Sequence, residues 1–75
     1  MITIDLDSPQ GNAFYLLGMA QKLSKARGDS PEEIKAIQAR MTHGDYWNLV
    51  QEFANEYRGL AEVYFDAQFE AEEGA

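Results

Sequence analysis

Gly59-Leu60-Ala61-Glu62-Val63-Tyr64-Phe65-Asp66 is the stretch that decides the fold. Ala61, Val63 and Phe65 alternate with Glu62, Tyr64 and Asp66, the period-two pattern of a strand with one buried face. A helix running on through Glu73 is the rival reading, and the β-branched and aromatic content of the segment favours the strand. At the other end of the chain Ile2, Ile4 and Leu6 alternate with Thr3, Asp5 and Asp7 in the same way. Two such segments flanking a helical middle predict an α+β domain of order strand, helix, helix, helix, strand, with the two-stranded sheet packed on the helical layer.

The helices between them are marked by their ends. Ser8-Pro9-Gln10-Gly11 breaks the first strand, Asn12 is a good N-cap, and Ala13 to Ala26 reads as a helix closed by Gly28. Its first half, Ala13 to Ala20, is apolar almost all round, which predicts burial, with Gly18 allowing a neighbouring element to approach. Ser30-Pro31-Glu32-Glu33 carries a capping box with proline at the first helical position, so a second helix starts at Pro31. It offers Ile34, Ile37 and Met41 to a core and stops near His43-Gly44, where His43 is placed to cap helix carbonyls. Asp45 caps a third helix with Tyr46, Leu49, Val50, Phe53 and Tyr57 in one stripe, ended by Gly59. Residues 1–66 thus form one domain, and 67–75 read as an acidic, frayed tail.

A chain of 75 residues buries a modest core, and with no cysteine it lacks the disulfides that small domains often use. Oligomerisation is the remaining route, and an open strand edge could pair with its copy across a two-fold axis to make a four-stranded sheet. The start of the chain does not read as a signal peptide and no run approaches a membrane span, so a cytoplasmic location is expected.

The net charge of −7 is unevenly placed. Up to Gly44 the acidic residues Asp5, Asp7, Asp29, Glu32 and Glu33 balance Lys22, Lys25, Arg27, Lys35 and Arg40. Beyond it Asp45, Glu52, Glu56, Glu62, Asp66, Glu70, Glu72 and Glu73 face Arg58 alone. Phosphate backbones and anionic membranes need lysine and arginine, so direct contact with nucleic acid or membrane is disfavoured and a basic protein surface is favoured.

Chemistry finds little support. One histidine and no cysteine leave Ser8, Ser24 and Ser30 without an evident activating arrangement, and a zinc ligand set and a glycine-rich phosphate loop are missing. Asp5-Leu6-Asp7-Ser8-Pro9-Gln10-Gly11 is similar to the start of a calcium loop, but proline replaces a ligand and Leu16 stands where the closing glutamate belongs. The expectation is a protein that is not an enzyme, with no cofactor and no metal. Asp45, Tyr46, Trp47, Glu52, Glu56, Glu62, Asp66 and Glu70 are the candidate partner-binding residues. The aromatic pair suits an interface anchor, and the Glu52–Glu56 like-charge pair asks for a reason.

Gly11-Asn12-Ala13-Phe14 after a short strand, then Leu17-Gly18, and Gly44-Asp45-Tyr46 opening the last helix resemble a group of small bacteriophage proteins, over Ile2 to about Tyr57. That resemblance implies an accessory protein made during infection, which inhibits a host defence or nucleic-acid-handling protein by occupying a basic site, as a nucleic-acid mimic would. Two alternatives stay open. One is an oligomer that sequesters a small nucleotide signal through Gly11-Asn12 and Lys22, Lys25, Arg27, Lys35 and Arg40. The other is a structural or assembly subunit, for which the acidic surface only keeps the chain dispersed.

Overall fold

A computed structural model describes residues 1–64. The first strand, β1 (Ile2–Asp5), leads through a 3-10 turn (Pro9–Gly11) into helices α1 (Ala13–Arg27), α2 (Pro31–Met41) and α3 (Tyr46–Glu56), and strand β2 (Ala61–Tyr64) follows. This is the expected order and the expected α+β class. The further strand residues to Asp66 and the tail 67–75 lie outside the described residues.

The two strands run parallel, with Ile2 beside Ala61, Thr3 beside Glu62, Ile4 beside Val63 and Asp5 beside Tyr64. Parallel neighbours need a long crossover, and here all three helices supply it. The register places Ile4, Leu6 and Ala61, all buried, on the helix-facing side with Val63 packed beside them. Thr3 and Glu62 lie on the other side and are exposed.

Both outer edges of this short sheet are partly closed by the chain itself. On β1 the Asp5 N–H donates to Gln10 Oε1 at 3.2 Å, and the Asp5 carbonyl accepts from the Ser8 N–H and hydroxyl. On β2 the Ala61 N–H donates to the Tyr57 carbonyl at 3.0 Å. The edge available for the four-stranded pairing raised above is thus shorter than the strands themselves, and local bonds of this kind discourage edge-to-edge association.

Each helix begins where its cap predicts. Asn12, Ser30 and Asp45 accept from the N–H of Phe14, Glu33 and Asn48, and the Ser30–Glu33 capping box is complete. Gly59 has φ of 89°, a left-handed conformation that lets the chain turn from α3 into β2 and that other residues adopt at a cost. Gly11 is required for a different reason. A Cβ there would lie 2.0 Å from the Leu6 carbonyl oxygen, so the 3-10 turn can close against β1 only with glycine.

The core is built from Leu16, Ala20 and Leu23 of α1, Ile37 and Met41 of α2, Leu49, Val50 and Phe53 of α3, and Tyr57. Three expectations are corrected. The first half of α1 is not buried all round, because Phe14 is 83% exposed and Tyr15 also reaches solvent. Only one face of α1 meets the other helices, and Phe14 stands nearly opposite Leu16 on the helix. Gly18 opens onto empty space and admits no neighbour. The last carbonyls of α2 are taken by Asn48 Nδ2, which donates to Arg40 O at 2.9 Å and Met41 O at 3.4 Å, in place of the expected His43 side chain.

At the centre lies one buried polar group. The Tyr57 hydroxyl donates to the Ala20 carbonyl at 2.9 Å and, its single proton so committed, accepts from the Ser24 hydroxyl at 2.6 Å. Burial pushes the Tyr57 phenol above its ordinary range, with the Ser24 hydrogen bond opposing that shift. A raised acid favours the protonated folded state, so its contribution is complete below about pH 10 and is lost as the pH rises from there through the folded value. Tyr57→Phe strands the Ser24 hydroxyl and removes a hydrogen bond to Ala20. We expect a loss of about 1–3 kcal/mol in urea unfolding, together with a smaller alkaline decline in stability than the native chain shows.

Candidate functional site

α1 and α3 start at the same end of the molecule, against the 3-10 turn. The Tyr46 hydroxyl donates to the Gly11 carbonyl, joining the first residue of α3 to the residue that closes the turn. Burial, with the Asp7 carboxylate adding to it, raises the Tyr46 phenol, which therefore stays protonated and keeps donating at neutral pH. Asp7 is in turn held by its N–H, which donates to Asp5 Oδ1 at 2.9 Å.

On this frame stand four aromatic rings that reach solvent. Tyr46 and Trp47 meet edge to face with centroids 5.7 Å apart, and Trp47 is 53% exposed. Tyr15 is fixed through Gln10 Nε2, which donates to its hydroxyl at 3.4 Å. Phe14 carries the backbone N–H that Asn12 caps, but its ring is the most exposed large apolar side chain of the described residues. Gly11, Asn12, Asp45 and Tyr46 thus all have structural work to do, as turn, caps and tie. The Phe14 ring has none. Asp45 is exposed and accepts from the Asn48 N–H, and Asp7 is exposed as well, so carboxylates lie among the rings.

The acidic face of α3 is engaged within the molecule. Glu56 Oε1 accepts from Arg40 Nη2 and Glu56 Oε2 from Arg27 Nη2, both at 2.8 Å, and Glu52 lies 3.6 Å from Arg40 Nε. Arg27 also reaches Asp29 at 2.6 Å and donates to the Glu56 carbonyl, while its guanidinium lies over the Tyr57 ring at 5.1 Å. Arg27 holds the Asp29 carboxyl below the usual carboxylate range, so this contact strengthens folding above about pH 4 and fades as the pH falls. Glu52 and Glu56 therefore sit together because two arginines from α1 and α2 lie between the helices. They form a clasp across the three helices, in which the two arginines offset the repulsion between the carboxylates. Glu62 remains exposed beside Thr3, and Asp66 and Glu70 lie outside the described residues.

The basic set assigned to nucleotide sequestration is divided in the same way. Arg27 and Arg40 are committed to carboxylates, and the Asn12 side chain is committed to the Phe14 N–H. Lys22, Lys25 and Lys35 form no ion pair among the described residues. No group of acidic or histidine side chains is placed to hold a metal among those residues, and none of their helices is long and apolar enough to cross a membrane.

The alternation of polar and apolar residues along α1 could have exposed Phe14, since Gln21 and Lys25, seven and eleven places on, share its face. The local apolar run hid this. Family models, curated proteins and solved structures were compared with the chain, and none matches it.

Glu56→Gln should lower stability by about 0.5–1 kcal/mol, because a partly exposed ion pair of ordinary strength is weakened at both arginines. Glu52→Gln, with its longer contact, should cost less. Urea titrations at low and high salt check this order, and the difference should shrink with salt.

Proposed function

We propose that the chain acts by binding a protein partner and not by catalysis, and that the exposed aromatic end anchors the contact. The observation that carries this reading is Phe14, 83% exposed on a helix whose opposite face forms the core, at the end that also presents Tyr15, Tyr46 and Trp47. Rigid aromatic rings supply large contact area at small entropic cost and dominate measured interface energies. A soluble chain keeps such rings in water at a cost that a partner's pocket can recover.

Charge supports a basic partner. The excess of negative charge falls entirely on residues 45–75, which include Asp45 and Glu62, and Asp7 adds to it at the aromatic end. Exposed rings with the Asp7 and Asp45 carboxylates beside Tyr46 suit a partner surface with a hydrophobic pocket rimmed by lysine and arginine, and the net charge speeds the encounter. Taken with the resemblance to small phage proteins, the partner is a host protein of defence or nucleic-acid handling whose basic site is blocked. Glu52 and Glu56, already engaged with Arg27 and Arg40, contribute to the field and not to the anchor.

Capture of a basic partner from the native host by tagged protein, followed by titration calorimetry, provides the test. Phe14→Ser and Trp47→Ser should each weaken the captured complex by roughly ten- to a hundredfold, as hot-spot residues do, with unfolding midpoints close to native. Equal affinity for the native chain and both variants would place the interface elsewhere.

A further inference from the structure

Lys22, Lys25 and Lys35, which form no ion pair among the described residues, point to a second surface. Lys25 of α1 and Lys35 of α2 line opposite walls of one open depression of about 390 Å³, whose other walls are Gln21, Pro31, Ile34 and Gln38. Lys22 lies one turn before Lys25 on α1. Facing like charges repel, and the remaining strong cations of these helices, Arg27 and Arg40, are neutralised by Glu56, Asp29 and Glu52. The depression is therefore a positive strip on a protein of net charge −7.

Its chemistry distinguishes between anions. A phosphate group is held best by a guanidinium fork or by free backbone N–H groups at a helix start. Here the arginines are engaged. The start of α2, which borders the depression at Pro31, has no donor at Pro31 itself, and the Ser30 and Glu33 N–H groups are taken by the capping box, which leaves the Glu32 N–H as a lone first-turn donor. One N–H without a guanidinium beside it is a weak holder of a phosphate group. What remains is separated ammonium groups on either side of the apolar Pro31 and Ile34. Point charges on flexible stems, spaced across an apolar floor, match separate carboxylates with an apolar side chain between them.

We propose that the groove between α1 and α2 binds an acidic polypeptide segment, with carboxylates on Lys25 and Lys35 and an apolar side chain over Pro31 and Ile34. This surface is independent of the aromatic end, so a single copy carries one face for a basic partner and one for an acidic partner.

The test is titration of the full chain, followed by backbone amide shifts, with a synthetic peptide of sequence Phe-Asp-Ala-Gln-Phe-Glu-Ala-Glu-Glu-Gly-Ala, which copies residues 65–75 and has the required mixture of carboxylates and rings. Shifts should centre on Gln21 to Lys25 and Glu32 to Gln38 and weaken with salt. Lys25→Glu with Lys35→Glu should reduce affinity at least tenfold, and Lys25→Gln with Lys35→Gln, which adds no new repulsion, should reduce it severalfold. Replacing both phenylalanines of the peptide with serine should also weaken binding. Absence of binding, affinity unchanged in both lysine variants, or equal binding of inorganic tripolyphosphate would overturn the proposal, the last by showing a phosphate site. None of these outcomes bears on Phe14 and Trp47, so the two surfaces stand or fall separately.

Discussion

The Tyr57 hydroxyl is the constraint on which the rest of the structure depends. It lies where α3 has just ended and β2 is about to begin, and it reaches back to Ser24 and to the Ala20 carbonyl in α1. A polar group in the middle of a core of this size is costly unless every partner is present, so it fixes how deeply α3 sits against α1. The Tyr57 carbonyl in turn accepts from the Leu60 and Ala61 N–H groups and so shapes the turn into β2. Phe53 packs against the same ring at 5.1 Å, and the Arg27 guanidinium covers it from outside. One residue, through its side chain and its carbonyl, thereby connects the helical layer, the turn into the sheet and the arginine clasp.

That arrangement explains how acidic residues are divided. Arg27 is held at the end of α1 by Asp29 and stacked on Tyr57, so Glu56 of α3 is drawn to it, and Arg40 of α2 completes the bridge. Three helices are tied at this end by charge, and at the opposite end by the Tyr46 hydroxyl on Gly11. The surfaces proposed for binding are those the ties leave accessible. The Phe14 and Trp47 rings at the start of α1 and α3, and the lysines between α1 and α2, are neither in the core nor in the arginine clasp.

Much of the fold was legible in the sequence because its signals are local. Caps at Asn12, Ser30 and Asp45, the stop at Gly28, the alternation at Ile2 to Leu6 and at Ala61 to Tyr64, and the stripe Leu49, Val50, Phe53 and Tyr57 all act within a few residues. The parallel direction of the strands was not legible, since it depends on where three helices deliver the chain. The side-chain pairings at the candidate site were less legible for the same reason. Asp45, Tyr46 and Trp47 were singled out from their position at a helix start, whereas Glu52 and Glu56 read as a free acidic face because Arg40 lies twelve residues before Glu52 and sixteen before Glu56, and Arg27 lies twenty-nine before Glu56. Phe14 was masked by an apolar run whose outward side only tertiary packing reveals.

Hydrogen–deuterium exchange of the full chain, free and in complex with its captured partner, tests the central claim most directly. If the aromatic end is the anchor, protection on binding appears at Gly11 to Tyr15 and Asp45 to Asn48, while the amides of Gln51 to Glu56 change little. Protection confined to Gln51 to Glu56, with the aromatic end unaltered, would contradict the account and return the acidic face of α3 to the interface.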